Sequence, residues 1–256
     1  MTDRAPAAFA FEGEAEIIAH RGFSARAPEN TLVALELGIE AGADAVEFDL
    51  HTTADGVTVL LHDSTVDRTT DGSGPIDRRT LAEVERLDAG SWFDAAFAGE
   101  PVPTLASVLA SVGPRVPRVY AEIKRNPRVE DVARLTGVVL DAGLLLHTVF
   151  ISMDWTALDG VRRVAPDARV GYIVERRRRA YDAIARAAGD PLALLDFDAR
   201  ILLRHPDLAA RAAADGIPLA TWTVDSIEDA ARLRDMGVPR ITTNQVADLV
   251  AWKDGL

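Results

Sequence analysis

Cysteine is absent from this 256-residue chain, which excludes disulfides and thiolate metal ligands and argues against a structural zinc site. Such a composition suits a reducing compartment, and a cytoplasmic protein is expected. Basic residues are also scarce: 28 Lys and Arg stand against 40 Asp and Glu, a net charge of −12. Nucleic acid is therefore not an expected partner, because its binding relies on cationic side chains that neutralise phosphates. No window approaches 18 uninterrupted apolar residues, so no membrane-spanning helix and no stable membrane insertion is expected. Residues 1–16 are rich in Ala and acids, without the apolar run of a signal peptide, and 1–15 read as a short flexible lead. No Gly-rich dinucleotide loop is found, which counts against an open, doubly wound sheet.

Apolar residues make up 48% of the chain, enough for a full core without metal or disulfide staples. They fall in short runs separated by helical patterns. Strand markers at Ile17, Ala45, Val119, Val149, Val170, Leu194, Leu219 and Ile241 define eight strand–helix units. That number, in about 250 residues, predicts a (β/α)8 barrel in a single domain over 16–256. Asn30-Thr31 offers an N-cap for a helix over 32–41. Asp55-Gly56 is a hairpin turn that returns the chain as a strand over 57–63. Residues 64–103 break the alternation with turn residues and one short helical pattern over 81–87, and read as an insertion after the second strand. The four arginines 176–179 read as a solvated helix start in preference to a basic lip facing substrate.

Polar residues recur at the carboxyl ends of the predicted strands, the working face of such a barrel. Ile17-Ile18-Ala19-His20-Arg21-Gly22 ends the first strand on His and Arg; Glu47 and Asp49 sit late in the second, His62 ends its hairpin partner, and Glu122 and Lys124 end the third. Residues i and i+2 of a strand share a side, so Glu47 projects with Asp49, and Glu122 with Lys124. Three carboxylates from neighbouring strands make a hard-oxygen site suited to one divalent cation, Mg²⁺ or Ca²⁺. Buried together without a task, these charges would cost several kcal/mol. His51, His147 and His205 lack such company and are assigned to ordinary packing, although His51 shares the parity of Glu47 and Asp49. Two histidines, a hard cation and two fixed side-chain cations suit phosphoryl chemistry. Arg21 and Lys124 neutralise phosphoryl oxygens, one imidazole takes a proton, and the other gives one. Sugar-phosphate isomerisation in a barrel needs fewer anion ligands.

These residues belong to a longer series: His20-Arg21-Gly22, Pro28-Glu29-Asn30-Thr31, Glu47-x-Asp49, Asp55-Gly56, His62-Asp63, Arg68-Thr69-Thr70, Leu87-Asp88-x-Gly90-x-Trp92-Phe93, Glu122-x-Lys124 and Trp222-Thr223-Val224-Asp225. The series resembles that of the glycerophosphodiester phosphodiesterases over roughly residues 16–250. The resemblance implies a (β/α)8 barrel with 64–103 as the family's insertion. It implies a metal-dependent hydrolysis of small glycerophosphodiesters to glycerol 3-phosphate and an alcohol. It makes His20 and His62 the acid–base pair, Glu47, Asp49 and Glu122 the metal ligands, and Arg21 and Lys124 the phosphate-binding cations. Glu29 and Asn30 would buttress the first strand's site, and Trp222 would line the substrate pocket. Met153, where an aromatic is common, and the Pro-less closing motif Thr243-Asn244-Gln245-Val246-Ala247-Asp248 depart from the pattern and bear on pocket shape. The alternatives weighed are a lysophospholipase D-type activity, for which Trp92, Phe93 and Phe97 are groove-lining candidates although core packing against the barrel is the preferred reading of them, and a non-catalytic phosphodiester-binding barrel.

Overall fold

In the computed structural model, which describes residues 7–11, 13–124 and 127–256, the apolar runs become strands and the patterns between them helices. In order these are β1 (Glu16–His20), α1 (Leu32–Glu40), β2 (Ala45–Thr52), β3 (Thr58–Leu60), α2 (Leu81–Val84), α3 (Leu105–Ser111), β4 (Arg118–Ile123), α4 (Val129–Asp141), β5 (Thr148–Ser152), α5 (Trp155–Val164), β6 (Arg169–Val174), α6 (Ala180–Ala187), β7 (Ala193–Asp198), α7 (Ala199–Arg204), α8 (Pro206–Ala214), β8 (Leu219–Trp222), α9 (Ile227–Asp235), β9 (Arg240–Thr243) and α10 (Val246–Asp254). Eight of the strands are parallel and run β1-β9-β8-β7-β6-β5-β4-β2, and β1 pairs again with β2 (Ile18 opposite Ala45), closing a barrel. β3 alone is antiparallel, a hairpin partner of β2. The expected (β/α)8 architecture is the one observed.

Each parallel strand is buried on both faces, and alternate residues point inward. Ile17, Val46, Phe48, Val119, Phe150, Leu195 and Ile241 pack outward against the helices. Ile18, Ala45, Tyr120, Val149, Ile151, Ile173, Leu194 and Ala220 pack together inside. Below this apolar layer, at the amino ends of the strands, Glu16 is held by Arg118 at 2.5 Å and Arg240 at 3.1 Å, with the Tyr120 hydroxyl 3.3 Å away. Above it stand the polar residues of the site.

Three local expectations need correction. The lead over 1–15 is packed where it is described: Phe9 is fully buried in the barrel's inner cluster, and its carbonyl oxygen accepts from Arg240. Two phenylalanines, Phe9 and Phe11, in a short Ala-rich stretch are too few to define a period, so sequence patterning could not place Phe9. Helix α7 was not expected; Asp198 starts it by accepting from the Arg200 N–H at 2.9 Å. Helix α2 is one turn, closed by a capping box between Thr80 and Glu83, and stops short of the expected 87.

The stretch 64–103 carries its own small core, in which Val66, Ile76, Val84, Ala89 and Val102 pack on Val59 and Leu61 of the hairpin. Trp92 and Phe97 each pack edge to face on Phe93, and none of the three lines the cavity that His20 and Glu47 share. Of the arginine run, Arg179 lies 3.7 Å over the Trp155 ring and donates to the Met153 carbonyl, while Arg176 pairs with Glu175. Arg177 borders a cavity of about 300 Å³ with Arg200, Arg204 and His205.

Candidate active site

The chain leaves β1 through a turn that only a particular backbone permits. Arg21 has φ +55°, a left-handed conformation costing about 1–2 kcal/mol for a side-chain-bearing residue. It aims the Arg21 N–H at Glu47 Oε2, 3.0 Å away. Gly22 follows with φ +82°, and a Cβ there would meet the Ala34 carbonyl carbon at 2.3 Å, so only glycine lets α1 approach. Thr31 caps α1, accepting from the Ala34 N–H. Asn30 is the residue that does not cap. With φ +59° it turns its amide inward, donating to Asp49 Oδ2 at 2.8 Å and accepting from the Asp49 N–H at 3.0 Å.

Adjacent pairing of β1, β2 and β4 puts their inward side chains side by side. Oxygens of Glu47, Asp49 and Glu122 lie within 4.8 Å of one another. Lys124 Nζ donates to Asp49 Oδ1 at 3.0 Å and to Glu122 Oε1 at 2.9 Å, and Arg21 Nε lies 3.0 Å from Asp49 Oδ2. Burial pushes the carboxyls up, and its outcome differs among the three. For Asp49, the charges of Lys124 and Arg21 outweigh it and hold the group well below the carboxylate range. For Glu47, burial and the Asp49 and Glu122 charges raise the carboxyl well above that range. Glu122 is raised by burial to about 7, against the pull of Lys124.

These residues fit a cation. Glu47 Oε1 is buried with no hydrogen-bond partner among the described residues, and the donors are hard oxygens. Three carboxylates against two side-chain cations leave one negative charge. A divalent ion and a singly charged phosphodiester would bring the cluster to neutrality.

The two predicted histidines have different partners. His20 Nδ1 lies 2.7 Å from Asn244 Oδ1, and burial followed by the Arg21 charge pushes its pKa down to about 4. His62 Nδ1 lies 2.6 Å from the Asp63 carboxylate, and burial lowers it too. Arg68 ties this side of the site together: its guanidinium donates to Asp63 and to both oxygens of Glu29, which also accepts from Arg21 at 2.8 Å. A cavity of about 40 Å³ is lined by His20, Arg21, Glu47, His62, Glu122, Lys124 and Trp222, with Ile151, Met153, Ile173, Asp196 and Thr242. Asp49 lies beneath it, fully buried. Glu29 and Asn30 stand behind Arg21 and Asp49 and do not line it. Lys124 lies across two of the acids, Asp49 and Glu122.

Sequence reasoning gave no role to Asn244, Asp225, Asp63, Arg68 or Asp196. Four of these sit in stretches that it had already picked out, and their partners are distant or were not considered. Asp196 shares a strand with Asp198 at i, i+2, the spacing that singled out Glu47 and Asp49, and was passed over. It is buried, and burial with the Glu122 charge raises its carboxyl well above the usual range. His51, assigned to packing, lies outside the cavity with Nε2 3.3 Å from the His62 carbonyl oxygen.

Comparison with known proteins follows the same outline. The sequence model of the glycerophosphoryl diester phosphodiesterase family matches residues 20–248. A glycerophosphodiester phosphodiesterase from Caldanaerobacter subterraneus subsp. tengcongensis is 34% identical over 248 residues, covering 91% of this chain and 96% of its own. The crystal structure of a glycerophosphodiester phosphodiesterase from Agrobacterium tumefaciens superposes with a TM-score of 0.80 at 28% identity, over 93% of this chain and 99% of its own. A phosphodiesterase from Oleispira antarctica, solved in complex with the product sn-glycerol-3-phosphate, superposes with a TM-score of 0.83 at 27% identity, over 93% and 96% of the two chains. No helix among the described residues is long and apolar enough to cross a membrane. With its closed barrel, its carboxylate cluster and these relatives, the chain belongs to the glycerophosphoryl diester phosphodiesterase family of enzymes.

Proposed function

We propose that the chain hydrolyses glycerophosphodiesters to glycerol 3-phosphate and an alcohol, with one catalytic domain over 16–256 and the 64–103 stretch as its insertion. The observation that carries this reading is the convergence on one cavity of two imidazoles, two cations and the carboxylate cluster. Glu47, Asp49 and Glu122 would hold one divalent cation, Mg²⁺ or Ca²⁺, which when bound polarises a phosphoryl oxygen. Arg21 and Lys124 bind the remaining phosphoryl charge. Glu29 and Asn30 orient Arg21 and Asp49, and Trp222 lines the pocket.

The two histidines divide the proton work according to their partners. His20 faces a neutral amide oxygen, which holds the hydrogen on Nδ1 and leaves Nε2 as an acceptor; it takes the proton of the attacking hydroxyl, whether water or the neighbouring glycerol hydroxyl. His62 faces a carboxylate, which stabilises the imidazolium against the lowering by burial; it gives a proton to the departing alkoxide. The P–O bond to the alcohol breaks as the new P–O bond forms; attack by water gives glycerol 3-phosphate directly, whereas attack by the glycerol hydroxyl gives a cyclic phosphate that a water then opens to the same product, the one bound by the Oleispira antarctica relative. The acidic, cysteine-free chain is consistent with a cytoplasmic place.

The test is glycerol 3-phosphate release from glycerophosphocholine, with EDTA and with Mg²⁺ or Ca²⁺ restored. Turnover that disappears with EDTA, returns with metal, and falls by roughly 10²–10⁴ in His20→Ala and His62→Ala is expected. Folded protein that releases nothing under either metal, yet cleaves lysophosphatidylcholine, would replace this reading with the lysophospholipase D-type activity.

A further inference from the structure

The catalytic cavity has two walls of opposite character. The β1, β2 and β4 side carries His20, Arg21, Glu47, Glu122 and Lys124. The facing side, from β5 to β8, is made of Ile151, Met153, Ile173 and Trp222, with Asp196 as its carboxyl. Two polar atoms of this second wall, Asp196 Oδ1 and Trp222 Nε1, are buried without a hydrogen-bond partner among the described residues. Each such atom has given up its hydrogen bonds to water without replacement, and native proteins keep few of them without a reason. Asp196 is not one of the three carboxylates that converge as a cation site.

Their placement is defined by register. Asp196 pairs with Ala220 and Asp198 with Trp222, so the indole stands one inward-facing position above the carboxyl on the neighbouring strand. That step is about 7 Å along a strand. An acceptor and a donor set into an apolar wall one inward-facing position apart on neighbouring strands suit a short carbon chain that carries hydroxyls. In a glycerophosphodiester the glycerol moiety is such a chain, with two free hydroxyls. An esterified choline or ethanolamine has none.

We infer that Asp196, together with the Trp222 indole N–H, forms the subsite that recognises the substrate's glycerol moiety, the carboxyl accepting from its terminal hydroxyl. The inference rests on the phosphodiesterase reading above. It carries a consequence for specificity. A 1-acyl lysophospholipid has that hydroxyl esterified, so it offers Asp196 no donor and is discriminated against.

The experiment compares kcat/KM for glycerophosphocholine and for propane-1,2-diol phosphocholine. The second compound lacks only the terminal hydroxyl and keeps the one beside the phosphate-bearing carbon, so either route of attack stays open to it. The wild-type enzyme is expected to prefer glycerophosphocholine by at least about tenfold, since a site built to hydrogen-bond a hydroxyl rejects the analogue that lacks it. Asp196→Ala should lose roughly that factor on glycerophosphocholine and little on the analogue, so that the preference collapses. Asp196→Asn, which keeps a carbonyl acceptor, should retain part of it, and Trp222→Phe should weaken it with the ring preserved. Equal losses on both compounds, or a wild type without preference, would overturn the assignment while leaving the phosphodiesterase reading intact. A wild type that cleaves no glycerophosphodiester would overturn both. If Asp196→Ala does not fold, the Asp196→Asn and Trp222→Phe ratios decide the matter.

Discussion

Asn244 Oδ1 lies 2.7 Å from Nδ1 of His20, across 224 residues of chain, and the orientation of that amide is dictated from behind. Asn244 Nδ2 donates to Asp225 Oδ2 at 2.8 Å, and the Asn244 N–H donates to Asp225 Oδ1 at 2.8 Å. A carboxylate can only accept, so the amide oxygen must face His20. Ser24 donates to the same oxygen at 2.8 Å. His20 is thus held in one tautomer from the far end of the chain.

Asn244→Ala removes that control without touching the phosphate-binding groups. The expected result is a kcat lower by roughly 10- to 100-fold, part of what a positioned acid–base group supplies, with KM changed little. Steady-state kinetics on glycerophosphocholine check this. A KM effect of the same size with kcat intact would show that the residue contacts substrate instead.

Asn30 gives a stability prediction. Asn30→Ala removes both hydrogen bonds to Asp49, orphans a buried N–H, and puts a Cβ residue at φ +59° without the local bonds that favour Asn there. The loss should be roughly 2–4 kcal/mol by urea unfolding. Asn30→Gly relieves the backbone but not the lost bonds, and should be less destabilised by about 1 kcal/mol.

Phe9 reports on the amino-terminal stretch. Its full burial predicts that Phe9→Ala costs about 3–5 kcal/mol, seen as a lowered thermal midpoint. A variant as stable as the wild type would mean that residues 7–11 do not close the barrel floor in solution.

Asp196 gives the pH prediction. Its carboxyl is raised in the folded state, by burial first and the Glu122 charge second, so the native state holds a proton that the unfolded state releases near pH 4. Above that pH the native state binds more protons than the unfolded one, and stability falls as pH rises towards the folded pKa. Asp196→Asn removes this penalty. Measured in EDTA, its stability relative to wild type should therefore increase from pH 4 to pH 8; a difference that is flat with pH would contradict the raised carboxyl.

The barrel was legible because its signals are local. Short apolar runs such as 148–152 and 169–174 can satisfy their backbone only as strands covered on both faces, and eight of them with helices between leave few architectures. The inward parity of Glu47 with Asp49, and of Glu122 with Lys124, followed from the two-residue period alone. Asn30-Thr31 was legible as a cap but not as to which residue caps: Thr31 does, and only the nearby Asp49 shows why the Asn30 amide turns the other way. Phe9 and the six-residue α7 have too little pattern around them to be read.

By itself the sequence determined the strand and helix order, the alternation that sends charged residues inward at the strand ends, and the motifs that mark the family. Tertiary structure decided which of those residues meet. Pairing of β1 with β2 and of β2 with β4 gathers the carboxylates, and closure of β9 onto β1 carries Asn244 to His20. It also decided that Asp196 and Trp222 keep buried polar atoms unpartnered on the opposite wall. Periodicity along a strand says which way a side chain points, but its partner depends on which strand comes alongside and in what register, and that is settled only when the barrel closes.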